Sequence, residues 1–163
     1  MRAAPWLAMV VSIVPMLAWA WPTAADEAPP KPYFVSLGAG EVNLRTGPGV
    51  RYPIEWVYMR RALPVEVIGR FDQWRQIRDW QGTEGWVHQS MLSTRRTIIV
   101  IGETRLLRAD PVLASAVIAR LEPGAIGEVA DCSGDWCKVA FAGHRGWLGR
   151  DEFWGSHPGE TAE

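Results

Sequence analysis

The sequence predicts an all-β chain built as two small barrels in tandem behind an N-terminal export signal. Three observations carry this expectation. The chain repeats itself at an offset that drifts from 63 to 61 residues. Its β-prone runs are short and are separated by Gly- and Asp-containing turns. Its apolar N-terminal run is too short for a spanning helix, which needs roughly 18 to 20 apolar residues.

Arg2 opens the chain, and residues 6–20 are apolar apart from Ser12 and Pro15. Small residues follow at Ala18, Ala20 and 23–25. This reads as a signal peptide over residues 1–25, cleaved after Ala20 or Ala25, so no stable membrane span is expected after cleavage. Localisation follows as periplasmic or secreted. Residues 26–32 are a leader rich in Pro and Ala, and its prolines deny it a helix or a central strand.

Four blocks define the repeat. Residues 42–48 (VNLRTGP) match 105–111 (RLLRADP), and 59–67 match 121–129. Residues 71–77 match 133–139, with Trp74 opposite Trp136, and 82–87 (GTEGWV) match 143–148 (GHRGWL). Each drift falls near a turn, where a duplicated β-domain tolerates insertion. The expected units are residues 33–93 and 95–154, followed by a polar tail over 155–163 that is expected to fray. Hairpins are expected around Phe71, Asp72 and Gln73, and around Ser133, Gly134 and Asp135. Residues 112–121 could pass for a helix, but their place in the repeat assigns them a loop and a strand.

The chain of 163 residues carries 17 basic and 18 acidic side chains, with Lys only at positions 31 and 138. A net charge of −1 argues against a general nucleic-acid binder, which needs surplus cations. The two cysteines, Cys132 and Cys137, flank a tight turn and suit a structural disulfide in an exported chain. Without a His cluster they make a poor zinc site, and neither a metal nor a cofactor is expected. His88, His144 and His157 stand in no nucleophile motif. The carboxylates are scattered; Glu66 and Glu128 recur in both copies and read as exposed strand positions.

The blocks Asn43-Leu44-Arg45-Thr46-Gly47-Pro48-Gly49, Trp74 and Gly85-Trp86-Val87 resemble the bacterial SH3-like domain family. The second copy keeps Leu107, Arg108, Pro111, Trp136, Gly146 and Trp147, but has Asp110 and Val112 in place of the loop glycines. The resemblance implies two tandem small SH3-like barrels. It also implies a non-catalytic module of the cell envelope that binds peptidoglycan or an extended peptide. The alternative is a protein–protein adaptor of the envelope with no cell-wall affinity.

Within that frame Trp86 and Trp147 read as partly core, and Trp74 and Trp136 as core or half exposed. Tyr52, Trp56, Tyr58 and Trp80 have no aromatic counterparts in the second copy. They therefore mark either a ligand-binding groove on the first barrel or the contact between barrels. Arg45 and Arg108 recur, which suggests that they bond loop carbonyls. Arg60-Arg61 and Arg95-Arg96 are local basic patches able to meet carboxylates.

Overall fold

The computed structural model describes residues 31–157. The expected signal peptide and most of the expected leader lie outside the described residues, as does the tail from residue 158. The first barrel comprises β1 (Tyr33–Leu37), β2 (Val42–Arg45), β3 (Ile54–Tyr58), β4 (Pro64–Phe71), β5 (Trp74–Arg78) and β6 (Glu84–His88). A 3-10 turn over Gln89–Met91 then leads into β7 (Leu92–Ser93). The second barrel comprises β8 (Thr97–Val100), β9 (Arg105–Arg108), β10 (Val117–Leu121), β11 (Ile126–Ser133), β12 (Trp136–Phe141) and β13 (His144–Gly149). A 3-10 turn over Arg150–Glu152 leads into β14 (Phe153–Trp154). The region that could pass for a helix is thus a loop followed by β10.

The strand orders are β3-β2-β6-β5-β4-β1-β7 and β10-β9-β13-β12-β11-β8-β14. Replacing each strand by its counterpart turns one order into the other, so the repeat in sequence is a repeat of fold. Irregularities recur as well. The register shifts between Val67 and Gly69 on β4, and between Val129 and Asp131 on β11. Such bulges bend a long strand so that it can serve both sides of a small barrel. The β4–β5 and β11–β12 turns place Asp72 and Gly134 at φ 49° and 57°, a region tolerated by Gly and, less readily, by Asp.

Alternation along the strands supplies each core. Val42, Leu44, Val65, Val67, Ile77 and Val87 are buried in the first barrel. Leu107, Val129, Val139, Phe141 and Leu148 are buried in the second. Units of about 60 residues have marginal cores on their own, and here the two cores touch. Ile99 of β8 is buried in the first cluster, with Ile101, Ile126 and Trp154 packed against it. The Thr97 hydroxyl donates to the Ala62 carbonyl at 2.8 Å. The Phe34 and Trp154 rings meet edge to face, with centroids 4.8 Å apart.

Two expectations are corrected at this junction. Glu66 is buried, not exposed: its side chain lies 3.4 Å from both Arg78 Nη1 and His157 Nε2. A carboxylate leaves water only where cations or donors replace it, and one of these partners is 91 residues away in sequence. Glu128 is exposed, as expected, and pairs with Arg95 at 3.2 Å. The start of the tail is also docked. Gly155 is buried, the His157 ring packs on Phe34 with centroids 4.6 Å apart, and Arg150 Nη1 donates to the His157 carbonyl at 2.9 Å.

Cys132 and Cys137 face each other across β11 and β12, form a disulfide, and are buried in the second core. Their sequence separation is only 5, so closing the loop stabilises the fold by about 2 kcal/mol. Reduction is expected to lower the midpoint of thermal unfolding by several degrees, read by calorimetry with and without reductant. An unchanged midpoint, with both thiols alkylated, would contradict this.

A candidate ligand groove on the first barrel

The loop between β2 and β3 is organised by Arg45. Its Nη1 donates to the carbonyls of Val50 (3.1 Å) and Tyr52 (2.7 Å). At the equivalent place, Arg108 Nη1 donates to the Ser115 carbonyl at 3.3 Å. The recurring arginines thus bond loop carbonyls, as their recurrence suggested. Tyr52 is half-buried in the loop, its ring packed on Gly47 so closely that a Cβ there would lie 2.4 Å from the ring.

The four singled-out aromatics do not form one surface. Trp56 is 58 % exposed. Tyr58 is a correction: it is 4 % exposed and belongs to the core. In the pairing of β3 with β2 it occupies the position that Leu121 fills in β10, an inward one. Its hydroxyl donates to Asp79 Oδ2 at 2.9 Å. Trp80 is a second correction: it is half-buried and packs on the same core. Phe34, Ile99 and Trp154 build the contact between barrels, and Tyr58 and Trp80 belong to the same cluster as Ile99. At the positions of Trp56, Tyr58 and Trp80 the second barrel has Ala119, Leu121 and Ala142, which line a hollow of about 490 Å³. The aromatics of the first barrel therefore partly do the work of volume.

Burial, and then the charge and hydrogen bond of Asp79, push the Tyr58 hydroxyl well above the usual tyrosine range. A raised folded-state value means that this stability is complete below the unfolded tyrosine value of about 10 and drains away as pH rises beyond it. Urea unfolding of the wild type should steepen with pH above about 10, by up to ~1.4 kcal/mol per unit. Tyr58→Phe should lack this steepening and be about 1 kcal/mol less stable at neutral pH. Parallel pH profiles for the two proteins would contradict the assignment.

Sequence reasoning missed a groove of about 180 Å³ lined by Glu41, Asn43, Arg45, Val50, Trp74, His88 and Met91. Asn43 and Arg45 alternate with the buried Val42 and Leu44 on β2, so they share its outer face. Trp74 and His88 are direct partners in the pairing of β5 with β6, their rings edge to face at 5.5 Å. The Ser90 backbone N–H donates to His88 Nδ1 at 3.3 Å, which leaves the ring hydrogen on Nε2, 3.0 Å from Gln73 Oε1. The imidazole is thereby fixed in place and caps the 3-10 turn over Gln89–Met91. The second barrel has Thr104, Leu106 and Gly149 at the positions of Glu41, Asn43 and His88. There the Gly149 N–H is bonded by Glu152 Oε2 at 2.8 Å instead. The signal available in the sequence was this contrast of polar against apolar residues at matched positions. Among the described residues no group of three His, Cys, Asp or Glu could hold a metal ion.

Comparison with known proteins bears on the fold. The bacterial SH3 domain family model matches residues 38–94 and again 102–155. A Bacillus subtilis (strain 168) protein named "Putative N-acetylmuramoyl-L-alanine amidase YrvJ" is 24 % identical over 124 residues, covering 69 % of this chain. The chain spans only 24 % of that relative's length. Solved structures of NlpC2 and NlpC1 from Trichomonas vaginalis share 12 % and 11 % identity, with TM-scores of 0.36 and 0.35. They cover 77 % and 76 % of this chain, which covers 49 % and 45 % of theirs. With two matched segments, each covering six of the seven strands of one sheet, the chain belongs to the bacterial SH3 domain family.

Proposed function

We propose that this protein is an exported, non-catalytic binding module of the cell envelope, and that its first barrel recognises peptidoglycan or an extended peptide. The observation that carries this reading is the Trp74–His88 groove. It offers an aromatic wall, an amide at Asn43, a guanidinium at Arg45 and a carboxylate at Glu41, beside an apolar loop tip. An apolar surface with a few fixed polar groups suits a sugar or peptide face. Val50, 79 % exposed, is both the loop tip and part of the groove lining. Trp56 stands exposed on the neighbouring strand, but it pairs with Leu44 and so lies on the other face from Asn43 and Arg45, while Tyr52 shapes the loop. The similarity to a protein named as a putative N-acetylmuramoyl-L-alanine amidase favours peptidoglycan among the ligands.

The test is co-sedimentation with purified sacculi. Val50→Asp and Asn43→Ala change groove-lining side chains outside the core, so both variants should fold as the wild type does. Each is expected to weaken retention by about tenfold or more, the effect of removing an interface anchor. Retention equal to wild type in both variants, or no retention of the wild type, would remove this reading.

A further inference from the structure

We propose that the β3 edge of the first barrel docks a protein partner, which adds an extended strand with an apolar middle and carboxylates at its ends. β3 is the last strand of its sheet, so one side of its backbone has no strand beside it, and four of its five residues are exposed. Such an edge is a template for a further strand. Edges are commonly blunted with charge, but this one exposes Ile54, Trp56 and Val57, with Val50 before it and Met59 after it. Glu55 is the one charge within the strand.

Charge selects the occupant. Arg51 lies before β3, and Arg60 and Arg61 lie after it, all exposed. Arg51 leans over the Tyr52 ring, 5.4 Å from its centroid, while Arg60 and Arg61 have no hydrogen bond or ion pair among the described residues. A second copy fits badly. Two-fold pairing of identical edges is antiparallel, and centring it on Trp56 sets Arg51 against Arg61, like charge on like. A partner strand ending in Asp or Glu meets a cation at each end instead. The matching edge, β10, lacks this frame: Ala114 stands for Arg51, and Glu122-Pro123 replaces Met59-Arg60-Arg61. The basic frame is therefore no requirement of the shared fold.

Calorimetric titration of the purified protein tests this with two peptides of alternating valine and threonine, one ending in glutamates on both sides and the other in lysines. The glutamate-ended peptide should bind about tenfold or more tighter than the other. Arg60→Glu combined with Arg61→Glu, and separately Val57→Lys, should each weaken it by about tenfold or more. Arg145→Glu on the second barrel should leave it unchanged, and the arginine variants should hold to sacculi as the wild type does. The proposal is overturned if the glutamate-ended peptide does not bind, if the two peptides bind equally, or if both edge variants bind as wild type. It is overturned too if sedimentation shows a wild-type dimer that Val57→Lys dissolves, or if the charge reversal releases the protein from sacculi.

Discussion

Asp79→Ala is expected to destabilise the first barrel by about 3 kcal/mol, enough to unfold much of a unit this small. Asp79 is 3 % exposed, yet its carboxylate has work for both oxygens. Oδ1 accepts the backbone N–H groups of Gln81 and Thr83, each at 2.9 Å, and so holds the turn between β5 and β6. Oδ2 accepts the Tyr58 hydroxyl. Alanine leaves three donors without their acceptor, one of them a buried phenol. Asp79→Asn keeps an oxygen for the turn and should lose only about 1 kcal/mol. The double variant with Tyr58→Phe should lose less than the sum of its parts, because the orphaned hydroxyl goes too. Denaturant unfolding monitored by Trp fluorescence reads all four proteins; additivity would show that the two side chains are not coupled.

Gly146→Ala is expected to destabilise the second barrel by about 2 to 3 kcal/mol. Gly146 stands at the crossing of β13 with β9, where a Cβ would lie 2.6 Å from the Arg108 carbonyl oxygen and 2.8 Å from Leu107 Cγ. Leu107 is fully buried and the carbonyl is main chain, so neither can yield. Gly85 holds the same place on β6, with Leu44 Cγ at 2.6 Å and the Arg45 carbonyl oxygen at 3.0 Å. Its alanine variant should suffer less, because the backbone clash is milder. This is why glycine precedes tryptophan in both copies: the strands approach too closely for a side chain. Calorimetry of the two variants should rank Gly146→Ala as the more harmful, and a loss under about 0.5 kcal/mol in both would contradict the packing.

What the sequence made legible was what recurs. Leu44 and Leu107, Ile77 and Val139, and Gly85 and Gly146 sit at matched buried positions, so aligning the copies amounted to aligning the strands; Trp86 and Trp147, expected to be partly core, are half-buried outside both core clusters. The loop-bonding role of Arg45 and Arg108 could be read for the same reason. What stayed hidden depends on partners far apart in sequence. Tyr58 looked available because no aromatic matched it, but Leu121 shows that the position is inward, and its partner Asp79 lies 21 residues on. Glu66 looked like a solvated strand residue because nothing local foretells His157. The groove escaped notice because Asn43, Trp74 and His88 come from three strands, and each alone passes for a fold residue.

The central claim is that recognition belongs to the first barrel, in polar groups the second barrel lacks. Retention on sacculi of the double variant Asn43→Leu, His88→Gly tests it most directly, because both replacements are residues the second barrel already carries at those sites. The account predicts a folded protein whose retention falls by about tenfold or more. Undiminished retention by a variant shown to be folded would contradict it.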